Sequence, residues 1–166
     1  MRTRIVYYSR SGTTRLLAEA LTARLVGDCA EIRCNKYRRG VWGYMSAGRD
    51  AMRGATPAIS FDPPTEPADC LLIGTPIWAG QPAAPVQSYL SGLGTLPDRV
   101  GVFITSGGPP PQPRAQATIR KLLGREPDGW MMLGADDVKA GRHMDEIENF
   151  LRAVIEHVSP AALTHS

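Results

Sequence analysis

Four hydroxyl side chains, Ser9, Ser11, Thr13 and Thr14, crowd around Gly12 beside Arg10. Hydroxyls donate to anionic oxygens, and glycine lets backbone approach a ligand closely. If a helix opens here, its unpaired first-turn N–H groups and the positive end of its dipole point at the same spot. A phosphate is the natural occupant. The alternative is an ordinary helix cap, because Ser and Thr are common at helix starts whether or not anything binds there. Two further stretches have unusual composition. Thr75-Pro76-Ile77-Trp78-Ala79-Gly80 carries an indole among small residues, and Thr105-Ser106-Gly107-Gly108 is small and polar before three prolines. Phosphate donors in one loop and an indole in another suit a planar aromatic ligand with a phosphate tail. For Trp78 the competing role is plain packing, and for Gly107-Gly108 it is a tight turn.

Other groups that can do chemistry point nowhere specific. Cys29, Cys34 and Cys70 form no CxxC and no metal-ligand spacing. Their apolar surroundings read as buried, inert thiols. His143, His157 and His165 are scattered near the C-terminus and read as solvated, so no metal site is expected. The formal net charge is +3 with a pI of about 8.9. Much of the excess lies in Lys36, Arg38, Arg39, Arg49 and Arg53, either a lure for an anionic partner or a solvated face. No nucleic-acid motif accompanies the charge.

The elements that must position these loops alternate along the chain. A run of β-branched and aromatic residues at 4–8 reads as the first strand, followed by a helix over 13–26. Leu16, Leu17, Ala20, Leu21, Ala23 and Leu25 form its apolar face. Residues 29–34 read as strand two. An irregular basic segment over 35–44 and a short helix over 45–53 follow, the helix ended by Gly54. A proline-rich loop then leads to strand three, 69–74, an apolar run as expected for a strand covered on both faces. A turn over 75–81 precedes a helix from Pro82 or Ala83 to Leu90. Strand four covers 99–105, a helix 112–123, strand five 130–134, and a closing helix 143–158. In that last helix Ile147, Phe150, Leu151, Val154, Ile155 and Val158 share one face. Strands alternating with helices call for a parallel sheet covered on both faces. The expected organisation is one domain over 1–160 with a tail over 161–166. Ligands of such sheets bind beyond the strands' C-terminal ends, where all three unusual loops fall.

Ser9 to Thr14, Gly74 to Gly80 and Phe103 to Gly108 together resemble the three FMN-binding loops of flavodoxin-like proteins. The likeness runs from the first strand to the last helix. It includes Gly43-Tyr44-Met45-Ser46-Ala47-Gly48-Arg49-Asp50-Ala51-Met52, which is similar to a segment of one bacterial branch of the family. The resemblance implies a flavodoxin-like three-layer αβα sandwich with a five-stranded parallel sheet in the order 2-1-3-4-5. It implies that Ser9, Arg10, Ser11, Gly12, Thr13 and Thr14 form the site of the FMN phosphate. Thr75, Pro76, Ile77, Trp78, Ala79 and Gly80 then border the isoalloxazine, with Trp78 as the stacking candidate and Ala79-Gly80 as the peptide that faces N5. Thr105, Ser106, Gly107 and Gly108 contact the pyrimidine side of the ring.

Three departures from the family stand out. Ser11 and Thr13 replace the Thr and Asn common in flavodoxins, but hydroxyls still serve. The third loop has no aromatic to sandwich the ring, which leaves one face open or covered by Tyr37, Trp42 or Tyr44. The chain is basic, whereas shuttle flavodoxins are usually acidic and use that charge to steer to partners.

Neighbouring families of the same architecture fit poorly. Thr75 stands where a response regulator needs an aspartate, and the first loop has no phosphatase cysteine. Neither GxGxxG nor GxxxxGK[ST] follows the first strand. The expected function is FMN-dependent electron transfer with a separate redox partner. One alternative is an NAD(P)H-dependent quinone- or flavin-type oxidoreductase that dimerises to build its nicotinamide site. Another is a flavin-free interaction module. Met1-Arg2-Thr3-Arg4 leads straight into a strand with no signal-peptide core, and no apolar run nears the ~20 residues of a membrane span, so a cytoplasmic protein is expected.

Overall fold

The computed structural model describes residues 1–37 and 40–156. Arg38, Arg39, His157, Val158, His165 and the expected tail over 161–166 lie outside the described residues. Five strands run parallel: β1 (Thr3–Tyr7), β2 (Gly27–Glu31), β3 (Cys70–Trp78), β5 (Arg99–Ser106) and β6 (Gly129–Gly134). Their order is β2-β1-β3-β5-β6, which is the expected 2-1-3-4-5 when only parallel strands are numbered. A sixth, two-residue strand, β4 (Gln81–Pro82), folds back antiparallel on β3.

The two faces of the sheet follow from side-chain alternation. Ile5, Leu72 and Phe103 point to one side, where they pack with Leu17 and Leu21 of α1 (Thr13–Thr22) and Ile147 and Phe150 of α6 (Met144–Glu156). Val6, Ile73, Val102 and Ile104 point to the other. There α2 (Val41–Arg53), α3 (Ala84–Ser91) and α4 (Pro113–Leu123) cover them. Each such aliphatic or aromatic side chain contributes roughly 1.5–3 kcal/mol on burial. That burial adds to the strand preference of the β-branched residues and dictates the strands.

Several boundaries differ from expectation. α1 stops at Thr22, four residues early, because the chain must turn at 23–26 to lay β2 beside β1. Thr3 N–H already bonds Val26 O at 2.8 Å, and Val26 is left solvent-facing. That pairing also moves β2 to Gly27–Glu31 and leaves Cys29 exposed; only Cys70 of the three cysteines is buried. α2 begins at Val41 instead of Met45, because its inward face is small (Ala47, Asp50, Ala51) and its large residues point outward. Gly54, in the left-handed region at φ 66°, ends it as expected. β3 continues through Thr75 and Pro76, which pair with Ile104 and Thr105 of β5, so the expected turn at 75 starts only at Ala79. A short helix, α5 (Ala135–Lys139), was not expected; five residues are too few for periodicity to reveal.

Close packing in the core leaves no room for a side chain at Gly101 on β5. A methyl group there would meet Val154 Cγ2 at 2.7 Å and both Leu72 Cδ2 and Phe150 Cζ at 2.8 Å. Gly101→Ala therefore overpacks the sheet against α6 and is expected to lower stability by about 1–3 kcal/mol, read as a lower urea midpoint. An unchanged midpoint would contradict this packing.

Candidate functional site

The loop after β1 is shaped by Ser9. Its Oγ accepts the N–H groups of Gly12 at 3.1 Å and Arg15 at 3.2 Å. Gly12 takes the left-handed region at φ 94° as α1 begins, and a side chain there would be strained. Ser9 therefore secures the Arg15 amide. The amides of Thr13 and Thr14, at the first two helical positions, have no acceptor within the helix. The Ser11 and Thr13 hydroxyls stand 3.3 Å apart over them.

Thr14 does something else. Its side chain is buried, and its hydroxyl lies 2.7 Å from that of Thr105 at the end of β5. This bond joins two of the three expected loops across 91 residues of sequence. Thr75 is likewise turned inward. Its Oγ accepts the Ala83 N–H at 3.1 Å and donates to Pro76 O at 2.9 Å, holding the connection to α3. Ser106 Oγ donates to Gly108 O at 2.6 Å and fixes the third loop.

Beyond the ends of β1, β3 and β5 these loops enclose a cavity of about 530 Å³, within the ~300–1,000 Å³ of small-molecule sites. Arg10, Ser11 and Thr13 line it from the first loop, Pro76, Ile77 and Trp78 from the second, and Thr105, Ser106 and Gly107 from the third. Nine of the residues singled out from the sequence thus share one cavity. Ser9, Gly12 and Thr14 stand behind the first loop as its supports. Thr75 is in the core, and Ala79 lines a neighbouring groove instead. Ala79 (φ 50°) and Gly80 (φ 78°) form the two-residue turn between β3 and β4, as expected where both central residues need positive φ.

Trp78 is 8% exposed, so little of its indole reaches the cavity. Tyr8 and Tyr37 meet it edge-on, with centroids 5.4 and 5.1 Å away. Of the three aromatics considered for a second wall, Tyr37 is buried behind Trp78 and Trp42 faces solvent, while Tyr44 lines the cavity. The Arg10 guanidinium sits 5.5 Å from the Tyr44 ring centroid, within cation–π range. Sequence reasoning missed Lys139 of α5, which brings a second cation to the lining; α5's brevity hid it.

Behind Trp78 lies a polar anchor. Asp50, almost fully buried, accepts from Lys36 Nζ at 2.7 Å and from Tyr37 Oη at 2.9 Å. The Lys36 hydrogen bond, seconded by Tyr37, holds the Asp50 carboxyl below the usual carboxylate range against its desolvation. Burial, followed by the bond to Asp50, pushes the Tyr37 hydroxyl well up, so it stays a donor.

Profiles of known protein families do not match this chain, and no curated protein matches it. Solved structures do. A flavoprotein from Lactobacillus acidophilus NCFM, solved in complex with FMN, has a TM-score of 0.64 at 24% identity over 84% of this chain and 97% of that one. The apo form of the flavoprotein from the same organism has a TM-score of 0.61 at 24% identity over 79% and 91%. Oxidised flavodoxin 1 from Bacillus cereus has a TM-score of 0.53 at 12% identity over 96% and 100%. These likenesses establish a flavodoxin-like fold.

In a cycle of Thr14→Val, Thr105→Val and the double variant, each single change strands a buried hydroxyl and is expected to cost about 1–3 kcal/mol. The double variant should cost clearly less than the sum; strict additivity in urea unfolding would show that the two hydroxyls do not interact. Asp50 ionises more readily folded than unfolded, so its contribution is full above the ordinary carboxylate pKa of ~3.9 and fades as pH falls below it. Asp50→Asn should therefore lose less stability than wild type on acidification below about pH 4, and an equal loss would contradict the Lys36 bond.

Proposed function

We propose that this protein binds FMN and uses it for electron transfer. The observation that carries this reading is the meeting of a hydroxyl-lined helix N-terminus, whose Thr13 and Thr14 amides have no acceptor within the helix, with an aromatic-walled cavity at the ends of β1, β3 and β5. The Lactobacillus flavoprotein of the same fold, described as a complex with FMN, supports it.

In this reading the Thr13 and Thr14 amides and the Ser11 and Thr13 hydroxyls take the phosphate, and Arg10 offsets its charge. Ile77 and Trp78 form one wall for the ring and Tyr44 the other. Backbone groups of Thr105, Ser106 and Gly107 run along its pyrimidine edge. Bound FMN supplies the redox chemistry; the protein supplies position and field. No carboxylate lines the cavity among the described residues, and Arg10 and Lys139 do. Two cations favour a negative charge developing at the site, which raises the reduction potential relative to an acid-lined pocket.

The reductase alternative leans on an open ring face for nicotinamide. Tyr44 occupies that side, which favours a carrier working with a separate redox partner.

Replacing Ser11 and Thr13 together by alanine should weaken FMN about tenfold or more, as expected for lost hydrogen bonds to a charged group, and leave riboflavin affinity unchanged. Equal weakening of both flavins would contradict phosphate anchoring here. Absence of FMN binding by the wild-type protein would contradict the function.

A further inference from the structure

Next to the cavity a second recess opens between α2 and the β3–β4 hairpin, with a volume of about 390 Å³. Tyr44, Met45 and Met52 form one wall, and Ile77, Trp78 and Ala79 form the other. Tyr44, Ile77 and Trp78 belong to both spaces, so a ligand here would lie against the wall of the cofactor cavity.

Three features of α2 have no role in the fold. The helix is inverted: it buries Ala47, Asp50 and Ala51 and exposes Tyr44 by 70%, Met45 by 62% and Met52 by 60%. Large apolar side chains held in water on one face mark a binding surface.

The second feature is Gly48, in the middle of the helix. Alanine is the better helix former, and a methyl group there would have one neighbour within 4 Å, Ala79 Cβ at an ordinary 3.7 Å. Packing therefore does not demand glycine; what glycine does is leave the recess open.

The third feature is Arg49, which lines the recess. Its nearest ion-pair partner is Asp50 at 4.0 Å, and that carboxylate is already held by Lys36 at 2.7 Å and Tyr37 at 2.9 Å. No carboxylate lines the recess among the described residues.

We propose that this recess is a second ligand site, for a planar aromatic molecule bearing an anionic group that pairs with Arg49. Methionine thioethers and aromatic walls suit a flat ring, the guanidinium suits a carboxylate or sulfonate, and the volume is that of a small-molecule site. A second copy of the chain fits less well. The only acid of α2 is the buried Asp50, so the same face on two copies would bring cation against cation. That such a ligand exchanges electrons with the cofactor rests on the FMN reading; its binding does not.

Calorimetric titration of the full chain with naphthalene-2-sulfonate, with and without saturating FMN, tests the site. The probe should bind in both conditions. Gly48→Leu should fill the recess and abolish binding while FMN affinity is kept, and Arg49→Gln should weaken the probe about tenfold, as for a charged hydrogen bond. Displacement of the probe by FMN, undiminished binding by Gly48→Leu, or undiminished binding by Arg49→Gln would each overturn the proposal. A dimer in sedimentation that Gly48→Leu dissociates would also overturn it, giving the recess to a second copy. If Gly48→Leu does not fold, Arg49→Gln, an exposed change, still decides. Failure of FMN to bind would sink the cofactor reading, and the flavin-free titration would still judge the recess.

Discussion

The hydroxyl contact between Thr14 and Thr105 ties the first turn of α1 to the C-terminal end of β5, with β3 between their strands. A parallel sheet with helical crossovers already places the ends of β1, β3 and β5 at one edge. It does not set how far apart their loops stand. The Thr14–Thr105 bond sets that spacing between the first and third loops, and Thr75, bonded to Ala83 and Pro76, holds the connection from β3 to α3. Ser9 aligns the start of α1 between them. The hydroxyls that read as ligand donors thus divide into two groups. Those of Ser9, Thr14 and Thr75 are consumed in building the cavity, while those of Ser11 and Thr13 remain at its surface.

That division was not legible in the chain. A buried strand followed by Ser-Arg-Ser-Gly-Thr-Thr and an apolar-periodic helix is a clear signal, and the order of parallel strands was implied by the family resemblance of the three loops. Which hydroxyl faces a ligand and which faces a neighbouring strand depends on the phase of α1 against β5, a tertiary property. The same limit applies to Trp78. Its loop made it a candidate for ring contact, and the fold surrounds it with Tyr8 and Tyr37 until little of it remains exposed. Tyr44, in a stretch read as irregular, is the aromatic that faces the cavity. The error there has a physical cause: α2 packs inward through alanines and a carboxylate, so hydrophobic periodicity reports its solvent face. α5 and β4 escaped notice because five and two residues carry no period.

Charge completes the picture. Arg10 and Lys139 at the cavity and Arg49 at its neighbour give this end of the molecule a positive field. The one carboxylate of α2, Asp50, is turned inward and neutralised by Lys36, so the anchor behind Trp78 subtracts nothing from that field. Anionic ligands are therefore attracted to an edge whose walls are apolar, an arrangement that combines long-range steering with short-range desolvation.

The most direct measurement is the visible absorption spectrum of the purified protein before and after addition of FMN, and then of NADPH. A perturbed flavin band near ~450 nm should stay with the protein through gel filtration and resist bleaching by NADPH alone, because the flavin's electrons come through a separate partner. Flavin that passes through unbound would contradict the account at its centre, and bleaching by NADPH alone would contradict the carrier reading.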